Sequence, residues 1–243
     1  QIGTQITSFG LHTGFSPVLD IWSNPDNTVI GNRAYGKTSD DVCKYGIADM
    51  LGLKATGAIP VAKHFPGHGD TETDSHYGLP LVTKTKEELW QSELLPFKSA
   101  IENGVPMIMA AHILCTELDE NYPASMSKNI ITDLLRDEMG FEGVVITDDL
   151  TMGAISESYS FGDAAVLSIN AGCDILSICF GKDNVKQAVK AIKEAVENGA
   201  ITEERIDESV RRILKLKEDY NVTSEVVEMP DIDELNSKTA KFQ

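Results

Sequence analysis

Residues 58–80 read AIPVAKHFPGHGDTETDSHYGLP. The first seven are mostly apolar and end in two polar side chains, Lys63 and His64. That pattern fits a parallel strand buried on both faces, with its polar end emerging at the carboxyl edge of a sheet. A loop follows. Gly67 and Gly69 allow sharp turns, so the chain can fold back over that edge. The loop holds His68, Asp70, Asp74 and His76, and three of the chain's five histidines fall between His64 and His76. Asp74 and His76 are two apart, which lets a carboxylate meet one imidazole nitrogen while the other faces a ligand. The plain alternative is a polar surface loop, and so many histidines beside a strand end weigh against it.

Working outward, further strand candidates are 14–21, 106–113, 143–147 and 174–180. Helix candidates are 40–53, 86–103, 128–139, 162–171, 184–198 and 203–220. Gly57, Gly104, Gly140, Gly172 and Gly199 stand just beyond the periodic stretches, as helix ends require. Strand–helix alternation implies a parallel sheet. No glycine-rich dinucleotide fingerprint follows the first strand, which lowers the open nucleotide-binding fold. Polar residues instead recur after successive strands: Asp20, Lys63 and His64, His112, then Asp148 and Asp149. That distribution predicts a (β/α)8 barrel with its site at the carboxyl ends of the strands.

Five strand candidates cannot close a barrel of eight. The chain also opens on Ile2, Ile6, Phe9 and Leu11, spaced for one apolar helix face and lacking an N-cap. The expectation is that residues 1–221 are the C-terminal part of the barrel, with an N-terminal segment supplying about three more strands. Residues 222–243 turn acidic and polar and read as a tail or linker.

The net charge of −17 argues against a nucleic-acid partner and against an anionic membrane surface. No apolar run is long enough to insert in a bilayer. Cys43, Cys115, Cys173 and Cys179 have neither metal-ligand spacing nor a dense disulfide pattern. Buried free thiols are expected, which fits a reducing, cytoplasmic compartment.

Two more stretches carry chemistry. GVVITDDLTMGAI, 143–155, is a buried strand ending in two adjacent carboxylates. Strand alternation sends Asp148 and Asp149 to different sides, so one at most points into a site; Asp149 is the candidate to cap the next helix. NPDNTVIGNRAYG, 24–36, places Arg33 in a glycine-flanked loop suited to clamping a polar ligand, with a surface ion pair as the alternative.

PVLDI and IGNRAYG, then KHFPGHG with DSH, then GFEGVVITDDLTMGAI, stand in this order across 14–179. In this the chain resembles family-3 glycoside hydrolases, and among them the bacterial β-N-acetylglucosaminidase branch. The resemblance implies a retaining hydrolase that releases terminal non-reducing β-N-acetylglucosamine, with peptidoglycan fragments as the expected carbohydrate substrate. It makes Asp148 the nucleophile, His76 the acid/base and Asp74 its partner. Arg33, Lys63 and His64 match residues that bind sugar hydroxyls. Family members carry a further acidic sugar ligand and an arginine upstream of anything in this chain. A histidine acid/base suits the reaction, since its reference pKa of about 6.5 lets it give and then take a proton near neutrality. Lacking negative charge, it also tolerates an anionic attacking group, so a β-N-acetylglucosaminide phosphorylase is the runner-up.

A metal-dependent barrel hydrolase using His64, His68, His76, His112 and Asp148 is a rival from another chemistry, but no HxH or HExxH spacing appears. No metal and no cofactor is expected. A non-catalytic glycan-binding module would be signalled by loss of Asp148 or His76, and both are present.

Overall fold

The computed structural model describes residues 1–71, 78–223 and 227–240. Helix α1 (Ile2–Ser8) leads through an irregular run to α2 (Ser39–Lys54) and β1 (Val61–Phe65). Then come β2 (Leu81–Val82), α3 (Lys86–Trp90), α4 (Leu94–Glu102), β3 (Met107–Ala110) and β4 (Leu114–Cys115). A π-helical segment, Asn129–Glu138, precedes β5 (Val144–Asp149), α5 (Gly153–Ser156), α6 (Phe161–Ala171) and β6 (Ile175–Ser177). Helices α7 (Lys182–Glu197), α8 (Glu203–Asp219) and α9 (Ile232–Thr239) complete the order.

The main sheet runs β1-β3-β5-β6, with every pair parallel. Strand alternation divides its side chains between two cores. Ala62, Ile108, Ala110 and Val145 join Val42, Met50, Leu94, Phe97, Ile130 and Leu134, from α2, α4 and the π-helical segment. On the other face Val61, Met107, Met109, Val144 and Ile146 pack with Leu216 of α8. Cover on both faces accounts for the near-continuous apolar strands. A smaller parallel pair, β2-β4, ties the chain after β1 to the chain after β3.

The described residues make an open parallel α/β sheet, with no eight-stranded closure among them, in keeping with a chain whose strand candidates are too few to close a barrel. Four ladder strands span too small an arc to meet. The first strand candidate, 14–21, runs beside β1 without becoming a regular strand. It makes isolated bridges, Thr13 with Ile59 and Val18 with Lys63. Pro17 has no N–H to give a ladder, which interrupts it.

Local chemistry corrects other boundaries. The helix expected over 86–103 is two. Pro96 cannot donate to the Ser92 carbonyl, so a helix cannot run through, and α4 begins with Pro96 in its first turn. The apolar stripe expected to bury α1 is outside it: Ile2, Phe9 and Leu11 are 62%, 48% and 60% exposed. The buried residue of α1 is Gly3, where a Cβ would lie 2.2 Å from Thr56 Oγ1. The acidic stretch read as a tail carries α9, capped by Asp231, which accepts the Glu234 N–H. Gln1 and Gln5 donate to Thr239 Oγ1, docking α9 on α1. Cys115 and Cys173 are buried free thiols as expected, whereas Cys179 is exposed.

At the amino end of β6 the buried Asp174 collects three arginines. Its Oδ2 lies 2.7 Å from Arg136 Nη2, and its Oδ1 lies 3.1 Å from Arg205 Nη2 and 3.2 Å from Arg212 Nη1. Ser209 Oγ and the Val145 N–H also donate to it. Burial by itself raises the pKa of this carboxyl, and the cations and donors outweigh it and hold it below its ordinary value. Among the described residues no helix is long and apolar enough to cross a membrane.

Candidate active site at the carboxyl edge of the sheet

Because the strands are parallel, their carboxyl ends share one edge. Lys63 and His64 come from β1, His112 from just after β3, and Asp148 and Asp149 from β5. Polar groups can face solvent or ligand there because the ladder has run out of partners.

The organising group is Asp20, fully buried at the end of the irregular first run. Its Oδ2 is 2.7 Å from His64 Nδ1, and its Oδ1 accepts the His68 N–H at 2.7 Å. The His64 N–H approaches both oxygens at 3.2 Å. Burial alone would raise the Asp20 pKa, but the charge and donors of His64 and His68 keep it below the usual carboxylate value. An ionised carboxylate only accepts, so His64 Nδ1 carries the proton and Nε2 is the nitrogen left to meet a ligand.

The glycines of PGHG are needed where they stand. A Cβ on Gly69 would lie 1.8 Å from the Ile21 carbonyl oxygen. Gly67 has φ +136° and would press a Cβ to 2.7 Å from Glu93. Asn27 then joins the two predicted loops. Its Nδ2 donates to the His68 carbonyl at 2.8 Å and its Oδ1 accepts the Ile30 N–H. That junction sets the 3-10 turn Gly31–Arg33, with Arg33 Nη1 donating to the Val29 carbonyl. Burial is the main influence lowering the Lys63 pKa; Arg33 lowers it further, and Asp148 and Asp20 oppose it. Lys63, Arg33 and Asp148 thus share one electrostatic neighbourhood.

Asp148 and Asp149 diverge as alternation requires. Asp148 is half-buried, and its Oδ1 accepts the Asp149 N–H at 2.8 Å. The Asp149 carboxylate turns away, accepting from Thr151 N–H and Oγ–H and from the Cys179 N–H. It closes a turn and does not cap a helix, since α5 begins only at Gly153 with Met152 before it. Burial raises the Asp149 pKa and these donors outweigh it, so the group is held ionised. Beneath the pair lies His112, whose Nδ1 is 2.8 Å from Ser125 Oγ and whose Nε2 is 3.1 Å from the Asp149 carbonyl oxygen. Burial, the dominant influence, lowers the His112 pKa against the pull of Asp148, so this imidazole is neutral near pH 7.

Of the six site residues expected from the sequence, Arg33, Lys63, His64 and Asp148 fall in this one region. Asp74 and His76 lie outside the described residues. The residue leading toward them, Asp70, accepts from Ser23 Oγ at 3.0 Å and pairs with Lys84 Nζ at 3.0 Å; Lys84 also pairs with the buried Glu93. Sequence reasoning gave no role to Asn27 or Ser125. It noted Asp20 only as a strand-end residue, and His112 as a strand-end residue and a candidate metal ligand. The signal for Asp20 was present, for it ends an apolar run just as Asp148 does. Among the described residues no three His, Cys, Asp or Glu side chains converge to hold a metal ion. A carboxylate, a lysine and an oriented imidazole at one sheet edge can bind a neutral polyol and attack an electrophilic carbon.

Residues 1–216 match the family described as glycosyl hydrolase family 3 N terminal domain. The beta-hexosaminidase A of Pseudoalteromonas piscicida is 38% identical over 234 residues, covering 89% of this chain and 39% of that protein. The beta-hexosaminidase of Methylococcus capsulatus is 36% identical over 197 residues, covering 81% of this chain and 57% of that one. A family 3 beta-N-acetylglucosaminidase structure from Paenibacillus sp. str. FPU-7 superimposes with a TM-score of 0.92 at 42% identity, over 95% of this chain and 44% of that one. The chain therefore spans only part of the length of these relatives. With the family model covering most of its residues, the chain belongs to glycosyl hydrolase family 3, in that family's N-terminal domain.

Proposed function

We propose that this domain carries the catalytic site of a retaining β-N-acetylglucosaminidase, acting on terminal non-reducing residues of peptidoglycan fragments. One observation carries the reading: a half-buried strand-end carboxylate, Asp148 of β5, at the same sheet edge as Lys63 and His64 of β1, on a chain whose relatives bear the name beta-hexosaminidase. The choice of peptidoglycan rests on the DSH loop and the branch it resembles. The same reading makes the open sheet an arc of a (β/α)8 barrel.

In the proposed reaction Asp148 attacks the anomeric carbon as the glycosidic bond breaks, and His76 gives its proton to the departing oxygen. His76 then takes a proton from water, whose oxygen attacks the same carbon and releases Asp148. Retaining glycosidases normally use two carboxyl groups. A histidine in the second role keeps one negative charge out of the site. Asp74 orients the ring, while Lys63, Arg33 and the Nε2 of His64 hold sugar hydroxyls.

The test pairs aryl β-N-acetylglucosaminide with aryl β-glucoside, with and without phosphate, and adds a slow-reacting fluorosugar. The expected result is preference for the aminosugar, free sugar as product at every phosphate concentration, and one labelled peptide containing Asp148. Label elsewhere, or an inverted product by NMR, overturns the reading.

The role of His76 has its own signature. His76→Ala is expected to slow substrates with poor leaving groups on the order of 10²–10⁴-fold, the usual worth of general acid catalysis. Activated aryl substrates, which need little protonation to depart, should lose far less. Equal losses on both classes would remove His76 from the role.

A further inference from the structure

The ladder between β3 and β5 ends at the pair Ala110–Thr147, one residue short of Asp148. Beyond that point β5 stays tied on its other side, where Leu150 N–H donates to Ser177 O and the Cys179 N–H to Asp149 Oδ1. Toward β3 the tie is a side chain, His112 Nε2 to the Asp149 carbonyl, 3.1 Å long and 37 residues apart in sequence. A carbonyl oxygen only accepts, so Nε2 must carry the proton. In a neutral ring Nδ1 is then the acceptor, and the Ser125 hydroxyl, 2.8 Å away, is its donor. The backbone fixes that hydroxyl, because the Ser125 N–H donates to Ala111 O and the Ala124 N–H to Ile113 O. His112 and Ser125 are 1% and 0% exposed. Water therefore competes little for either bond.

Asp149 is the element through which this acts. Its N–H donates to Asp148 Oδ1, and its carbonyl accepts both the Met152 N–H and His112. The Met152 bond closes a local turn, which Leu150 and the Asp149 carboxylate tie on the β6 side only. His112 attaches it to β3. We infer that His112, held in its Nε2–H tautomer by Ser125, is a positioning residue that fixes Asp149 and through it aims the Asp148 carboxylate at the anomeric carbon.

This inference rests on the proposed role of Asp148 as nucleophile, and fluorosugar inactivation separates the two. The limiting inactivation rate constant reports attack by Asp148; the half-saturating concentration reports sugar binding. Three variants are compared, with melting temperatures alongside. His112→Leu deletes both bonds and is expected to lower the rate constant on the order of 10²-fold, the loss a misplacement of about 1 Å brings. Half-saturation should stay within about twofold, since the sugar-binding groups are elsewhere. His112→Gln keeps an N–H near the position of Nε2 and is expected to recover most of the rate. Ser125→Ala frees the other tautomer, which points a lone pair at the carbonyl, and should give an intermediate loss.

Should His112→Leu fail to fold, recovery in His112→Gln together with slowing in Ser125→Ala still supports the assignment. An unchanged rate constant in Ser125→Ala with wild-type labelling intact overturns it. So does a His112→Leu variant whose only change is a lower melting temperature. If the wild-type enzyme labels at a residue other than Asp148, the nucleophile reading fails and this inference falls with it.

Discussion

Asp148→Ala is expected to lower kcat on an aryl N-acetylglucosaminide on the order of 10⁴-fold or more, as deletion of a nucleophile does when the remaining site still binds substrate. Binding should change little, because Lys63, Arg33 and His64 are untouched. Stability should shift by less than about 1 kcal/mol, since Asp148 is half-buried and its bond is to the neighbouring Asp149 N–H. Added azide is expected to enter the vacated space and give an α-configured glycosyl azide, because the anion attacks the face Asp148 would have used. Kinetics and product NMR check both parts. A loss below about tenfold, or a β-configured azide, would show that another group forms the covalent bond.

The second large effect belongs to Asp174, at the other end of the sheet. Asp174→Ala is expected to destabilise the fold by about 3–5 kcal/mol, the usual result of breaking a buried charged network from one side. Arg136 would lose its anion in a largely buried position, with Arg205 and Arg212 left beside it and the three cations repelling one another. Against a typical stability of about 5–15 kcal/mol that is a large fraction. Urea unfolding measures it, and a change under about 1 kcal/mol would show that solvent replaces the carboxylate without penalty. Acid should act in the same direction. The folded-state pKa of Asp174 is depressed by its arginines against burial. Its contribution is therefore complete above the unfolded value of about 3.9 and is lost as pH falls through the folded value. Asp20, depressed by His64 and His68 against its own burial, adds to the same acid loss.

What could be read from the sequence was local. A strand buried on both faces must be a short apolar run, so the β1, β3 and β5 segments and their polar ends at Lys63, His64 and Asp148 were visible in one dimension. Helix ends likewise report themselves through nearby atoms: Thr202 accepts the Arg205 N–H, and Gly172 takes the left-handed conformation after α6. PGHG was legible as a turn because glycine permits sharp turns; the close approaches to Ile21 and Glu93 that require it came only with the structure. The family-like order of motifs added expected roles for Asp148, His76 and Asp74, though not the bonds made by Asp20, Asn27 and Ser125.

The tertiary structure decided whatever depends on residues distant in sequence. Asp20 meets His64 across 44 positions, Asn27 meets the His68 carbonyl across 41, and Asp174 meets Arg136 across 38. No periodicity encodes such pairings, because each is set by which strands lie side by side. Alternation required Asp148 and Asp149 to part, but which one shares its space with Lys63 depended on the packing of β1, β3 and β5. The same holds for the π-helical turn over Asn129–Glu138, the exposed stripe of α1 and the docking of α9. An apolar side chain specifies that it prefers burial; which surface covers it, or whether any does, is a property of the assembled layers.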